Sequence, residues 1–139
     1  MKLFTEEDKP KVQKKLAIIH SNLEMYTRYE AQLLSLKGIT PSMKATGEKI
    51  PYLRRDKCRE AYTILKKYGW LGEEDLDKQY YSYLLEAINC GDYARLLDIL
   101  PYAKQGFARG KLSEEDYNHI IDLLNAQKIE VEKVGKTLK

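Results

Sequence analysis

The sequence predicts an all-α fold, a compact helical bundle of about five helices with long first and last helices, in a single domain spanning residues 1–139. Three observations lead to this prediction. Apolar residues recur every three or four positions, glycines and prolines separate the periodic segments, and small polar residues followed by acids precede several of them. The length of 139 residues, with 43% hydrophobic residues, suits one domain with one buried core.

The first predicted helix covers residues 9–37, where most apolar side chains fall on one face. Pro10 suits a first helical turn, because its missing N–H costs no hydrogen bond there, and Gly38 suits the end. Because the stripe is close to a heptad repeat, we also consider a homodimer formed through this helix. The stripe consists of Val12, Leu16, Ile19, Leu23, Tyr26 and Leu33.

The following segment, residues 38–50, is predicted to be an irregular basic loop. It reads GITPSMKATGEKI and contains two glycines, a proline and three hydroxyl side chains. Such composition is typical of loops, which often carry function. A second helix is then predicted from Pro51 to Tyr68, closed by Gly69.

A short acidic phrase recurs three times: LFTEED at 3–8, WLGEED at 70–75 and KLSEED at 111–116. We interpret each copy as a helix start, in which a small residue caps the helix and the acids face the positive end of its dipole. Further helices are predicted over 74–89, over 93–100 with a further turn from Pro101 to Gly110, and from Ser113 to about residue 134. The tail of the last helix, KIEVEKV, alternates like a strand, but the chain offers no partner strand.

The composition argues against several classes of protein. Aliphatic runs are far shorter than the roughly 20 residues of a membrane span, and the first residues resemble no signal peptide, so we expect a cytoplasmic protein. Cys58 and Cys90 are expected to be free thiols. Neither His20 nor His119 has metal-ligand spacing, and TGEK at 46–49 lacks the rest of a phosphate-binding loop. We therefore expect no enzyme, metal or cofactor.

Charge is distributed unevenly along the chain. Residues 37–67 hold nine basic and three acidic side chains, whereas residues 68–100 hold two basic and seven acidic ones. A basic block of this kind attracts anionic partners, or else forms an ordinary solvated face. The candidate binding residues in it are Lys44, Lys49, Arg54, Arg55, Lys57, Arg59, Lys66 and Lys67.

Aromatic side chains are the second candidate feature, since the chain has eleven tyrosines. Tyrosine and tryptophan serve both in cores and at interfaces. We select Tyr52, Trp70 and Tyr81 as candidate binding residues. Tyr81 lies about 100° around its helix from the stripe that Tyr80 and Leu84 mark, and is therefore predicted to be exposed.

These observations favour a non-enzymatic protein-interaction module, such as a small accessory or regulatory protein of a bacterium or mobile element. The alternative is a nucleic-acid-binding accessory protein that uses the basic segment 44–67, where positive charge and aromatic rings are interleaved. No helix-turn-helix signature is present in the sequence, which disfavours sequence-specific reading of a duplex.

Overall fold

The computed structural model describes residues 2–35 and 38–138, with side chains described up to residue 135. Within these ranges it confirms the all-α prediction, with five helices and no strand. The helices are α1 (Asp8–Ser35), α2 (Pro41–Tyr68), α3 (Lys78–Ile88), α4 (Tyr93–Ala108) and α5 (Glu114–Leu138). The last two residues predicted for the first helix, 36 and 37, lie outside the described residues. α5 extends beyond the predicted end and is helical throughout the tail that alternates like a strand.

α2 is the central helix of the bundle. α1 lies antiparallel to it, since Lys15 Nζ donates to Thr63 Oγ1 at 3.1 Å near one end and Arg54 pairs with Glu30 toward the other. α3 packs against both α1 and α2, α4 packs against α2, and α5 packs against α4. α2 therefore contacts three helices and leaves one side to solvent.

All five helices, together with the segment that precedes α3, contribute to one apolar core. Its most deeply buried large side chains are Leu16, Ile19, Leu65, Leu71, Leu76, Leu84, Ile88, Leu96, Ile99 and Ile120. The predicted stripe of α1 faces this core, where Val12, Leu16, Ile19 and Leu23 are buried. α2 and α3 pack against this helix and enclose those four side chains, whereas Tyr26 and Leu33 of the stripe are only partly buried. A homodimer through α1 stays a prediction.

The prediction of an irregular loop over 38–50 is wrong, because α2 begins at Pro41. Thr40 caps the helix, its Oγ1 accepting a hydrogen bond from the Met43 N–H at 3.1 Å, and Pro41 takes the first helical position. Gly47 lies where α1 and α2 approach closely, since a Cβ there would be 2.7 Å from Leu33 Cδ1. Residues typical of loops thus serve here as a cap and as a close helix contact.

Two prolines lie inside helices, although each was predicted at a helix boundary. Pro51 is within α2 and Pro101 is within α4, which is one helix rather than two segments. An interior proline costs a helix about 3 kcal/mol. Ile50 beside Pro51, and Ile99 and Ala103 on either side of Pro101, are fully or almost fully buried. Packing of these neighbours outweighs the cost of the prolines.

The first and third acidic phrases are confirmed as helix starts. Before α1, the backbone N–H of Thr5 donates to Asp8 Oδ2 at 3.0 Å and the Thr5 hydroxyl donates to the same oxygen at 2.8 Å. Before α5, the N–H of Asp116 donates to Ser113 Oγ at 3.1 Å. Ser113 thus caps α5 as predicted, by accepting from an N–H that would otherwise be unpaired. At α1 the Asp8 carboxylate accepts from Thr5 instead, so the acid and not the small residue supplies the acceptor.

The second acidic phrase forms a turn instead of starting the predicted helix at residue 74. The Gly72 N–H donates to Asp75 Oδ2 at 3.0 Å, and α3 begins only at Lys78. Asp77 is held by α1, because its N–H donates to Gln13 Oε1 at 2.8 Å and its carboxylate pairs with Lys9 at 3.0 Å. These contacts with α1 and within the turn hold residues 72–77 in a non-helical conformation, where the sequence predicted the first turn of a helix.

Two of the predicted glycine stops are confirmed by their backbone. Gly69, after α2, has φ 80° and Gly110, after α4, has φ 75°, a region that glycine adopts without strain. Gly91, in contrast, follows α3 in close contact with the core, where a Cβ would lie 2.7 Å from Cys58 Sγ.

Gly106 provides a test of core packing. A Cβ at this position of α4 would lie 2.5–2.8 Å from three atoms of Trp70. We expect Gly106→Ala to destabilise the protein, since overpacking costs ~1–3 kcal/mol and exceeds the gain of ~1 kcal/mol from replacing a helical glycine. Gly135→Ala is the matched control, because a Cβ in this part of α5 meets nothing within 4 Å. Urea unfolding followed by circular dichroism measures both; equal or higher stability of Gly106→Ala contradicts the packing argument.

Asp8 predicts a pH dependence of stability. Hydrogen bonds from Thr5, with Lys2 nearby, lower the pKa of Asp8 from 3.8 to about 2. A lowered pKa means that the ionised group stabilises the folded state above pH 3.8, and that this contribution is lost as the pH falls toward about 2. We expect Asp8→Asn to be less stable than the wild type at neutral pH, and the difference to shrink over that acidic range. Urea midpoints across the pH series measure this effect.

The control for Asp8 is Glu7→Gln, which removes an exposed carboxylate one position earlier. If Glu7→Gln shows the same convergence with the wild type in acid, the hydrogen bonds to Asp8 are not its cause.

Candidate functional site

The basic candidate residues lie along a single helix. Because α2 begins at Pro41, Lys44 and Lys49 belong to the same helix as Arg55 and Lys67, over a length of about 35 Å. The outward side of this helix is called the α2 face below. It comprises the exposed side chains Lys44, Lys49, Tyr52, Arg55, Arg59, Lys66 and Lys67.

Two basic candidates do not belong to the α2 face, because they are engaged inside the fold. Arg54 pairs with Glu30 and also donates to Thr27 Oγ1 at 3.2 Å, which links α2 to α1. The Lys57 side chain is only 13% exposed and pairs with Glu60 at 3.1 Å. Arg54 therefore helps to hold α2 against α1, and the charge of Lys57 is paired within α2 itself.

The α2 face retains five cations that form no ion pair with any described residue: Lys44, Lys49, Arg55, Lys66 and Lys67. Its remaining cation, Arg59, is exposed but pairs with Asp56 at 3.1 Å. Unpaired cations on one helix face produce a positive local potential. They keep their full charge available to an anionic partner.

One exposed aromatic side chain, that of Tyr52, lies among these cations. Tyr52 is 68% exposed, and the Arg55 guanidinium carbon lies 5.4 Å from the centre of its ring. This cation–π arrangement holds an arginine and a tyrosine side by side on the surface. Of the three aromatic candidates, Tyr52 is the one on the α2 face.

The prediction that Tyr81 is exposed is wrong, and Trp70 is also part of the core. Each is only 4% exposed. Tyr81 and Trp70 both belong to the apolar core, and α3 packs on α1 and on α2. A helix that packs on two sides buries more than the single stripe that its periodicity indicates.

α1 adds basic residues that the sequence analysis did not select. Lys11 and Lys15 line a hollow of about 210 Å³ together with Thr63 and Lys67 of α2. The spacing of Lys11 and Lys15 by four places them on one side of α1. Their nearness to Lys67 depends on the antiparallel pairing of the two helices, which no local pattern reveals.

His20 is the centre of the densest set of titratable side chains. Its Nδ1 lies 2.8 Å from Glu86 of α3 and its Nε2 lies 3.0 Å from Glu24 of α1. The ring stacks on Tyr83, with 3.9 Å between ring centres. These contacts join α1 to α3. They leave neither ring nitrogen without a partner.

Neither thiol contacts the His20 ring, although Cys90 Sγ donates to the backbone carbonyl of Glu86 at 3.5 Å. Burial raises the pKa of the Cys58 thiol to about 12, and its Sγ donates to the Ile88 carbonyl at 3.6 Å. Burial also raises the pKa of Cys90. A protonated thiol is a poor nucleophile. Over residues 2–35 and 38–138, moreover, no group of three His, Cys, Asp or Glu side chains could hold a metal ion.

The chain matches no known family model, no curated protein and no solved structure. Within the described part of the chain, no helix has both the length and the apolar character that crossing a membrane requires. The argument for function therefore rests on the surfaces described above.

Proposed function

We propose that this chain is a non-enzymatic protein-interaction module that presents the α2 face to an acidic partner protein. The observation that carries the proposal is the row of five unpaired cations beside the exposed Tyr52. Such charges steer an anionic partner toward the surface and set its orientation. Tyrosine and arginine, paired here in Tyr52 and Arg55, are the residue types that most often dominate binding energy at interfaces.

Acidic residues on the same side favour a protein over a nucleic acid. Glu48 and Asp56 are exposed among the cations of α2. A continuous phosphate backbone would bring negative charge against both carboxylates, which is unfavourable. A protein surface that is acidic on the whole can place a lysine or arginine opposite each of them.

Nucleic-acid binding through residues 44–67 is the second candidate. The net positive charge of the α2 face would bind phosphates, and the exposed ring of Tyr52 would stack on an unpaired base. The two candidates use the same residues. A partner protein would stay bound after nuclease treatment, whereas a bound nucleic acid would be lost.

The proposal predicts that the double variant Arg55→Glu with Lys66→Glu loses its partner protein. Each reversed charge facing an acidic surface costs on the order of 1 kcal/mol or more, so we expect binding at least about tenfold weaker. The measurement is affinity capture from nuclease-treated extract of the native host. Titration calorimetry with the purified partner then gives the affinity.

The matched control is Lys104→Glu with Lys128→Glu, which reverses two exposed cations on α4 and α5. Equal loss in the control would mean that only total charge matters, and would overturn the role of the α2 face. Capture that disappears on nuclease treatment would overturn the protein partner in favour of the nucleic acid.

A further inference from the structure

The hollow of about 210 Å³ between the start of α1 and the end of α2 is lined mainly by basic side chains. We call it the basic hollow. Four ammonium groups line it from three parts of the chain: Lys2 precedes α1, Lys11 and Lys15 lie on α1, and Lys67 lies in the last turn of α2. Among the described residues that line it, one is acidic, Asp8. Four positive charges against one negative charge give the lining a net charge of +3.

The Asp8 carboxylate is already saturated with hydrogen bonds. Its Oδ2 accepts from the N–H and the hydroxyl of Thr5, and its Oδ1 accepts from Lys2 Nζ and from the Tyr68 hydroxyl, both at 3.3 Å. It therefore neutralises Lys2 and no other lysine of the hollow. The remaining three form no ion pair with any described residue: Lys11, Lys15 and Lys67.

Two of these unpaired ammonium groups are held at the basic hollow by contacts that leave N–H donors free. Lys15 Nζ donates to Thr63 Oγ1 at 3.1 Å, which uses one of its three donors. Lys67 Nζ lies 5.3 Å from the centre of the Tyr68 ring, a cation–π contact that uses none. A ligand that binds there meets donors whose positions the fold has already set, which lowers the entropic cost of binding.

The surface beneath the ammonium groups is apolar. Val12 and Ile64 also line the basic hollow, and they are only 5% and 3% exposed. Charges beside an apolar wall are screened less than charges surrounded by water, so their attraction for an anion is stronger. The same weak screening makes the mutual repulsion of the lysines unfavourable until an anion binds.

The kind of cation in the basic hollow favours phosphate over carboxylate. Arginine is the residue type that matches a carboxylate with two parallel hydrogen bonds, and no arginine lines the hollow. Ammonium groups that converge from different elements suit a tetrahedral anion with several acceptor oxygens. A phosphate monoester carries a charge of about −1.5 to −2 at neutral pH, which compensates more of the net charge than one carboxylate does.

We propose that the basic hollow binds a phosphate monoester dianion, with Lys11, Lys15 and Lys67 donating to its oxygens. The volume of about 210 Å³ is smaller than that of pockets for drug-sized ligands and suits a single anionic group. Such a group can belong to a phosphorylated side chain of a partner protein or to a free small phosphate. The chemistry at the hollow is the same for both.

This proposal does not rest on the proposed function. Lys67 is the one residue that the basic hollow shares with the α2 face, whereas Lys11 and Lys15 lie on α1. Replacing the two α1 lysines thus tests the hollow alone. The double variant Arg55→Glu with Lys66→Glu, outside the lining of the hollow, tests the α2 face alone.

The test is a titration of the full chain with inorganic phosphate at constant ionic strength, followed by backbone amide chemical shifts. We expect saturable shifts centred on residues 11–15 and 63–68. Acetate is expected to produce no saturable shifts, and dimethyl phosphate, a diester with one negative charge, is expected to bind more weakly. N-acetyl-phosphoserine amide is titrated in parallel. Its binding more tightly than inorganic phosphate would identify a phosphorylated side chain as the source, and the reverse order a free phosphate.

A pair of charge-matched variants locates the bound group. Lys11→Gln with Lys15→Gln should weaken phosphate binding at least about tenfold, because it removes two charge-assisted hydrogen bonds. The control is Lys14→Gln with Lys104→Gln, which removes the same total charge from exposed positions outside the hollow and should leave the affinity unchanged.

Several results would overturn the proposal. They are the absence of saturable shifts with phosphate, saturable binding of acetate with equal affinity, or equal weakening by the two double variants. Equal affinity for dimethyl phosphate would also contradict a monoester site and would favour the phosphate backbone of a nucleic acid.

Discussion

The burial of one side of α2 among three other helices is the constraint on which the rest of the structure depends. Cys58, Ala61 and Leu65 on that side are fully buried. Each buried apolar side chain of the larger kind contributes about 1.5–3 kcal/mol, and the helix keeps its course through Pro51 because this contribution is larger than the cost of the proline. Unpaired charges cannot be buried at acceptable cost, so the cations of α2 are left on the opposite side. The α2 face is therefore a consequence of the core.

A different set of contacts delays the start of α3 and leaves Glu73 and Glu74 exposed. A Cβ at Gly72 would lie 2.5 Å from the Lys111 carbonyl oxygen, so glycine is required for the turn to lie against the segment before α5. Asp75 closes that turn and neutralises Lys111, while Asp77 is tied to α1. Glu73 and Glu74 are left without partners in the described residues, on the same side as Asp116.

Local signals predicted the parts of this fold that local interactions decide. The all-α class, the α1 stripe, the start of α1 after Thr5, the cap at Ser113 and the stop at Gly69 depend on residues close in sequence. The start of α2 carries a local signal in Thr40 and Pro41, but the glycine at 47 indicated a loop, and only its close contact with α1 explains a glycine inside this helix. The basic candidates of the α2 face followed from composition, but the engagement of Arg54 with Glu30 and the burial of Tyr81 depend on helix pairing. Contacts between helices thus account for these differences between the prediction and the structure.

Surfaces of opposite charge on one chain raise the question of self-association. Glu73, Glu74 and Asp116 line one hollow and form no ion pair with any described residue, whereas the α2 face carries five unpaired cations. If the acidic side chains of one copy bound the α2 face of another, the contact would be heterologous and would extend without closing. An acidic partner of the α2 face must also place a lysine or arginine opposite Glu48 and Asp56. That hollow offers only Lys111 for this, and Asp75 Oδ2 already lies 2.9 Å from its Nζ. The α2 face therefore fits a separate partner better than a second copy of the chain.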